Sequence, residues 1–154
     1  MRHSIYIIVI SLMIGSCKKD KLEGDKAIFI GKWNWTFTSH SYGICEGYNF
    51  SEVLTPESEE ETFSLEFFEK GIVKFFQNKE IIKTYRVVFS NFGENCSGDY
   101  SEYKGFDIHL NNKDDDSFYV YGCVDFDEIV FVKGFPFMVV DEGCEIYTSH
   151  FIKE

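Results

Sequence analysis

Short segments in which apolar and polar side chains alternate with a period of two recur between residue 32 and the last residues of this chain. That period places successive side chains on opposite faces of an extended strand, and no stretch competes with it by sustaining a helical period. Trp33, Trp35 and Phe37 alternate with Lys32, Asn34, Thr36 and Thr38. Phe63, Leu65 and Phe67 alternate with Thr62, Ser64 and Glu66. Val73 and Phe75 flank Lys74, and residues 81–89 carry Tyr85, Val87 and Phe89 on one face. Phe106, Ile108 and Leu110 alternate with Asp107 and His109. Phe118–Tyr121, residues 126–133 and residues 144–152 complete the set. Phe, Tyr and Trp make up 18% of the chain, and such residues favour pleated, half-buried surfaces.

The eight predicted strands are joined by turns and loops, none of which reads as a helical crossover. Glu69-Lys70-Gly71 is a tight turn with Gly71 free to take a positive φ, and Asn78-Lys79 is the next. Residues 40–60 and 91–101 read as long polar loops, Asn111–Asp116 and Gly122–Asp125 as turns, and Gly134–Gly143 as a loop. Sequential strands so joined are antiparallel. The expected fold class is all-β, an eight-stranded antiparallel up-and-down barrel that closes and so leaves no sheet edge. A barrel of eight strands has an interior either filled by side chains or wide enough for one small ligand.

The N-terminus follows a different rule. Met1–Ser4 is short and basic, Ile5–Ile14 carries no charge, and Gly15-Ser16-Cys17 closes the run ahead of Lys18-Lys19-Asp20-Lys21. A ten-residue helix rises roughly 15 Å, about half of a hydrocarbon core. It is too short to span a bilayer and has the layout of a secretory signal peptide over residues 1–16. Residues 17–27 are expected to form a charged, flexible tether, followed by a single domain over residues 28–154.

Removal of residues 1–16, which hold one Arg and no acid, leaves 14 Lys and Arg against 26 Asp and Glu, a formal charge of −12. An acidic surface repels phosphate backbones, so nucleic acid is not an expected partner. Apart from Cys17, four cysteines remain: Cys45, Cys96, Cys123 and Cys144. In an exported protein an even set reads as two disulfides, with three possible pairings. Zinc is disfavoured because no two of these cysteines lie within five residues of each other.

Motifs for catalysis are missing from the sequence. His40, His109 and His150 show no paired spacing, His109 is expected to face solvent, and no Ser sits in a G-x-S-x-G context. Neither Asp114-Asp115-Asp116 nor Asp125-Phe126-Asp127-Glu128 fits a calcium loop, and both read as acidic turns. The chain is therefore read as a non-enzyme without cofactor or metal. Phe68, Phe76, Tyr119, Phe135 and Phe137 fall on the opposite strand face or in loops, where aromatic rings point to contact with a partner.

Ile14-Gly15-Ser16-Cys17 resembles the lipobox of bacterial lipoproteins. The resemblance implies cleavage after Ser16 and lipidation of Cys17. The following Lys-Lys-Asp resembles export signals of Bacteroidota lipoproteins. Gly31-Lys32-Trp33-Asn34-Trp35, Thr55-Pro56-Glu57-Ser58 and Phe63-Ser64-Leu65-Glu66-Phe67 before Gly71, with Tyr85 and Ile129-Val130-Phe131 later, resemble the lipocalin-like lipoproteins of that group over residues 28–152. The resemblance implies a calyx barrel on the outer membrane, facing the periplasm or the cell surface, that engages a small apolar ligand or an envelope protein. The alternative is a structural or accessory subunit with a filled barrel. Trp33, Trp35, Phe37, Phe63 and Phe67 would line the ligand cavity, all on the inward face. In such a barrel successive connections alternate between ends, and the first and last strands are neighbours. Cysteines at the same end can come within the ~7 Å that a bridge requires. The expected pairs are Cys45–Cys144 and Cys96–Cys123.

Overall fold

A computed structural model describes residues 21–42, 50–112, 117–133 and 146–154. Among the described residues nine strands form one antiparallel sheet: β1 (Gly31–Tyr42), β2 (Phe50–Leu54), β3 (Phe63–Phe68), β4 (Ile72–Gln77), β5 (Glu80–Asn95), β6 (Lys104–Asn111), β7 (Ser117–Val124), β8 (Glu128–Lys133) and β9 (Ile146–Lys153). Strand β1 pairs along one edge with β9 and along the other with β3, so the eight strands β1 and β3–β9 close into a barrel. The ninth, β2, takes over from β3 on the upper part of β1, from Thr38↔Leu54 to Tyr42↔Phe50. Sequence patterning missed β2 because its outward Val53 is 59% exposed and its five residues show no one-sided apolar face.

The barrel has two unlike ends. Its base holds the start of β1, the β3–β4 turn, the β5–β6 connection and the β7–β8 turn. Gly71 turns the chain there with φ 67°, and its N–H donates to Phe68 O at 3.0 Å. A 3-10 helix over Gly24–Phe29 plugs the base. Phe29 is fully buried among the rings of Phe67, Phe89, Phe92 and Phe106, at centroid distances of 5.5, 5.2, 5.9 and 5.1 Å. The Trp33 indole N–H donates to Phe29 O at 2.7 Å, which ties the plug to the first strand.

That plug revises the expected tether. Leu22 is buried and its N–H donates to Glu69 O at 3.0 Å, so residues 22–27 belong to the folded domain. Two buried apolar anchors, Leu22 and Phe29, with Ile28 half-buried against the core, dock a segment that also carries Glu23, Asp25 and Lys26. Two further boundaries move. Strand β5 continues to Asn95, with irregular register at Phe89/Asn91 and Phe92/Asn95, where a loop was expected from residue 91. Strand β7 runs through Gly122–Val124, and the turn is confined to Asp125–Asp127, with Asp125 N–H donating to Glu128 O at 2.9 Å. Between Thr55 and Thr62, Pro56–Glu59 forms a four-residue helix, α1, capped by Thr55 Oγ1 accepting from Ser58 N–H at 3.2 Å.

From the plug upward the barrel is packed. Trp33, Leu65, Val73, Phe75, Val87, Ile108, Val120, Ile129 and Phe151 are all buried in one contiguous core. Ring contacts such as Phe75–Tyr85 at 5.2 Å and Phe131–Phe151 at 5.6 Å are edge-to-face, the arrangement that the ring quadrupoles favour.

Candidate functional site

The interior changes character toward the other end, the mouth. A β-bulge between Trp35 and Phe37 puts two β1 residues opposite one on β9. Below it Trp35 faces inward, opposite Phe151; above it Thr38 and His40 take the inward positions, opposite Ser149 and Tyr147. Thr38 and Ser149 are almost wholly buried and share a hydrogen bond at 2.9 Å. The Trp35 indole N–H donates to Thr38 Oγ1 at 2.9 Å, and the bulged Thr36 donates to His150 O at 3.1 Å. His40, also buried, stacks on Tyr147 with ring centroids 3.8 Å apart. A cluster of indole, hydroxyl, imidazole and phenol groups thus sits above an apolar core. Trp35 also packs edge-on against Phe63 at 5.5 Å. These two rings line a cleft of ≈ 490 Å³ in the barrel wall, where β1–β3 pairing ends at Asn34↔Ser64, with Lys32, Glu66, Phe76 and Lys79 around it.

Of the five residues expected to line a ligand cavity, Trp33 and Phe67 are consumed by the core beside the plug. Trp35 and Phe63 meet at the cleft. Phe37 does not share their face: the bulge turns it outward, where it stacks on His150 with centroids 4.0 Å apart. Thr38 and His40 were missed because a bulge in β1 reverses the parity of every residue beyond it, and nothing in a period-two pattern marks where the extra residue goes; Ser149 was missed because a polar side chain on the inward face of β9 leaves no mark in an apolar pattern.

The outer wall under Phe37 carries a second polar group. His150 Nδ1–H donates to Glu128 Oε1 at 2.7 Å, and the Tyr103 hydroxyl donates to Glu128 Oε2 at 2.7 Å. The Tyr100 hydroxyl lies 3.4 Å from His150 Nε2. The hydrogen bond to Glu128, with burial and the charge of Glu128 adding to it, pushes the Tyr103 phenol up to about 12. Burial, then the charges of Glu128 and Asp99, also raise Tyr100. Both phenols are therefore held in the protonated, hydrogen-donating form.

Cys96 and Cys123 are bridged, with Cα atoms 6.2 Å apart. Cys123 lies on the outward face of β7, whereas the sequence pattern placed it in the Gly122–Asp125 turn. Cys17, Cys45, Cys144, Phe135, Phe137 and Asp114–Asp116 lie outside the described residues. His109 is exposed, 5.0 Å from the Tyr119 ring. A larger cleft, ≈ 660 Å³, opens outside the barrel at the base between Ile28, Phe92, Val124 and Phe126. Comparison of the chain with protein-family models, curated proteins and solved structures finds no match.

Proposed function

We propose that this chain is a lipid-anchored protein of the bacterial cell envelope whose lipocalin-like barrel is a non-enzymatic binding or interaction module that works at its mouth. The N-terminal segment, with Cys17 behind an apolar run, supports the anchor and an outer-membrane location. The observation that carries the rest is the division of the interior. Packed rings fill it from Phe29 to Phe151, while the buried polar side chains gather at Trp35, Thr38, His40 and Ser149. A small, largely apolar ligand with a hydrogen-bonding group suits that arrangement, with Trp35 and Phe63 as its apolar contacts.

Trp33 and Trp35 are the chain's two tryptophans, so a Trp33→Phe variant leaves Trp35 as a single reporter. Titration with the apolar dye 1-anilinonaphthalene-8-sulfonate should quench or shift Trp35 emission and move the amide resonances of Thr38, His40 and Ser149. Shifts confined to residues at the base, such as Phe29 and Phe92, would refute a mouth site. Mass spectrometry of protein purified from membranes should find Cys17 acylated at a new N-terminus.

The second reading is an accessory subunit with a filled, non-binding barrel. The fully buried Phe29, Trp33, Phe75 and Phe151 favour it, as do Tyr119 and Tyr121, which are 51% and 38% exposed side by side on the outer face of β7. Failure of any ligand to co-purify, together with cross-links from β7 to an envelope protein, would select it.

A further inference from the structure

Val130 should be exposed. Its neighbours Ile129 and Phe131 point into the core, so Val130 faces the outside of the wall between His150 on β9 and Cys123 on β7. Yet Val130 has no solvent exposure, and Cys123 and His150 have little. Their cover is the β5–β6 connection, Cys96–Tyr103. It closes on itself through Cys96 N–H donating to Tyr103 O at 3.1 Å and Tyr103 N–H to Tyr100 O at 2.9 Å. Besides the Tyr100 hydroxyl at His150 Nε2, it is fastened to the wall at two places. One is the Cys96–Cys123 disulfide to β7. The other is the Glu128 carboxylate, which accepts from Tyr103 on the connection and from His150 on the wall.

We propose that Cys96–Tyr103 is a releasable strap, opened by a dithiol reductant and otherwise held over the outer wall of β7–β9. The chemistry is thiol–disulfide exchange. A thiolate of the dithiol attacks one sulfur, breaking the Cys96–Cys123 bond and forming a mixed disulfide. The dithiol's second thiolate then displaces that cysteine. Two cysteine thiols and one oxidised, disulfide-bonded reductant result, two electrons having passed to the protein. Both cysteines line an open groove of ≈ 560 Å³ with Asn95, Tyr100 and Thr148, which gives the reductant access. With the sulfur link gone, Glu128 and the contact of Tyr100 with His150 hold the strap. The barrel itself does not depend on the link, because its ladder between β1 and β9 closes independently.

The test is hydrogen exchange of the strap amides Cys96, Ser101 and Tyr103 in the full chain, with Val73 and Ile108 amides as core reporters. Dithiothreitol treatment of the wild type should reduce this bridge, shown by alkylation of Cys96 and Cys123. The strap amides should then exchange about tenfold faster, under conditions where the core reporters stay protected, so that strap opening is separate from global unfolding. The Cys96→Ser/Cys123→Ser variant should behave likewise, and Glu128→Gln added to it should give roughly another tenfold. Tyr103→Phe, which keeps the ring and loses only the hydroxyl, should reproduce the Glu128→Gln effect. A bridge that dithiothreitol cannot reduce in the native protein overturns the proposal. So does unchanged strap exchange after reduction, and so does exchange of strap and core at one common rate.

Discussion

Replacing Phe29 by Ala measures how much of this barrel's stability comes from its plug. The ring is fully buried and meets four others at 5.1 to 5.9 Å. Truncating a buried Phe costs about 3–5 kcal/mol, from lost transfer energy plus the cavity left behind. Phe29 should sit near the upper end of that range. Its four partners project from three different strands, β3, β5 and β6, and cannot all close on one void. The backbone carbonyl of Phe29 still accepts from Trp33, so the variant keeps its polar contacts and reports packing alone. With a urea slope of about 1.5 kcal/mol per molar, a loss of ~4 kcal/mol moves the unfolding midpoint down by about 2–3 M. The assay is urea unfolding at pH 7 followed by tryptophan fluorescence, with Phe126→Ala as control. Phe126 is 75% exposed, and its loss should change stability by no more than about 0.5 kcal/mol. A Phe29→Ala cost below ~1 kcal/mol, or one equal to the control, would refute the filled, plugged barrel.

Gly122→Ala should be among the most damaging single changes. A Cβ there would stand 2.1 Å from Val130 O and 2.8 Å from the Phe106 ring, and Val130 O belongs to backbone that cannot rotate away. A loss of about 3 kcal/mol or more by thermal or urea unfolding is expected. The Cys96–Cys123 link closes a loop of 27 residues, for which chain entropy gives about 3.5 kcal/mol, so the double serine variant should unfold at correspondingly lower urea. Alkaline titration followed by phenolate absorbance should show Tyr103 ionising at about 12, well above an ordinary phenol. Because folding raises its pKa, the stability it contributes is complete below the unfolded value of 10.0 and is lost as pH climbs from there through about 12. Tyr103→Phe should flatten that loss. Thr38→Val should leave the fold intact but strip the Trp35 and Ser149 hydroxyl contacts, weakening dye binding at the mouth several-fold without moving the base resonances.

The order and direction of the barrel strands were legible in the residues. Alternation such as Phe106, Ile108 and Leu110 against Asp107 and His109 is a local consequence of the strand period, and each strand carries it without help from its neighbours. Turn chemistry at Gly71 and Asn78-Lys79 is equally local, and all three residues take positive φ. Up-and-down order follows from those two facts, and the Cys96–Cys123 pairing follows from the order.

Tertiary structure decided the rest. Docking of Leu22 and Phe29 turned an apparently charged tether into a plug, because burial of two side chains depends on a pocket that several distant strands build. The bulge beside Phe37 exchanged that ring for Thr38 and His40 inside the barrel, since one inserted residue reverses every face beyond it and its place is set by the register with β9. Tyr100, Tyr103, Glu128 and His150 lie up to fifty residues apart in the chain and meet only once the sheet has curled shut. Period and turn propensity belong to neighbouring residues and are written in the chain, whereas register and closure belong to pairs of strands and exist only in the folded barrel.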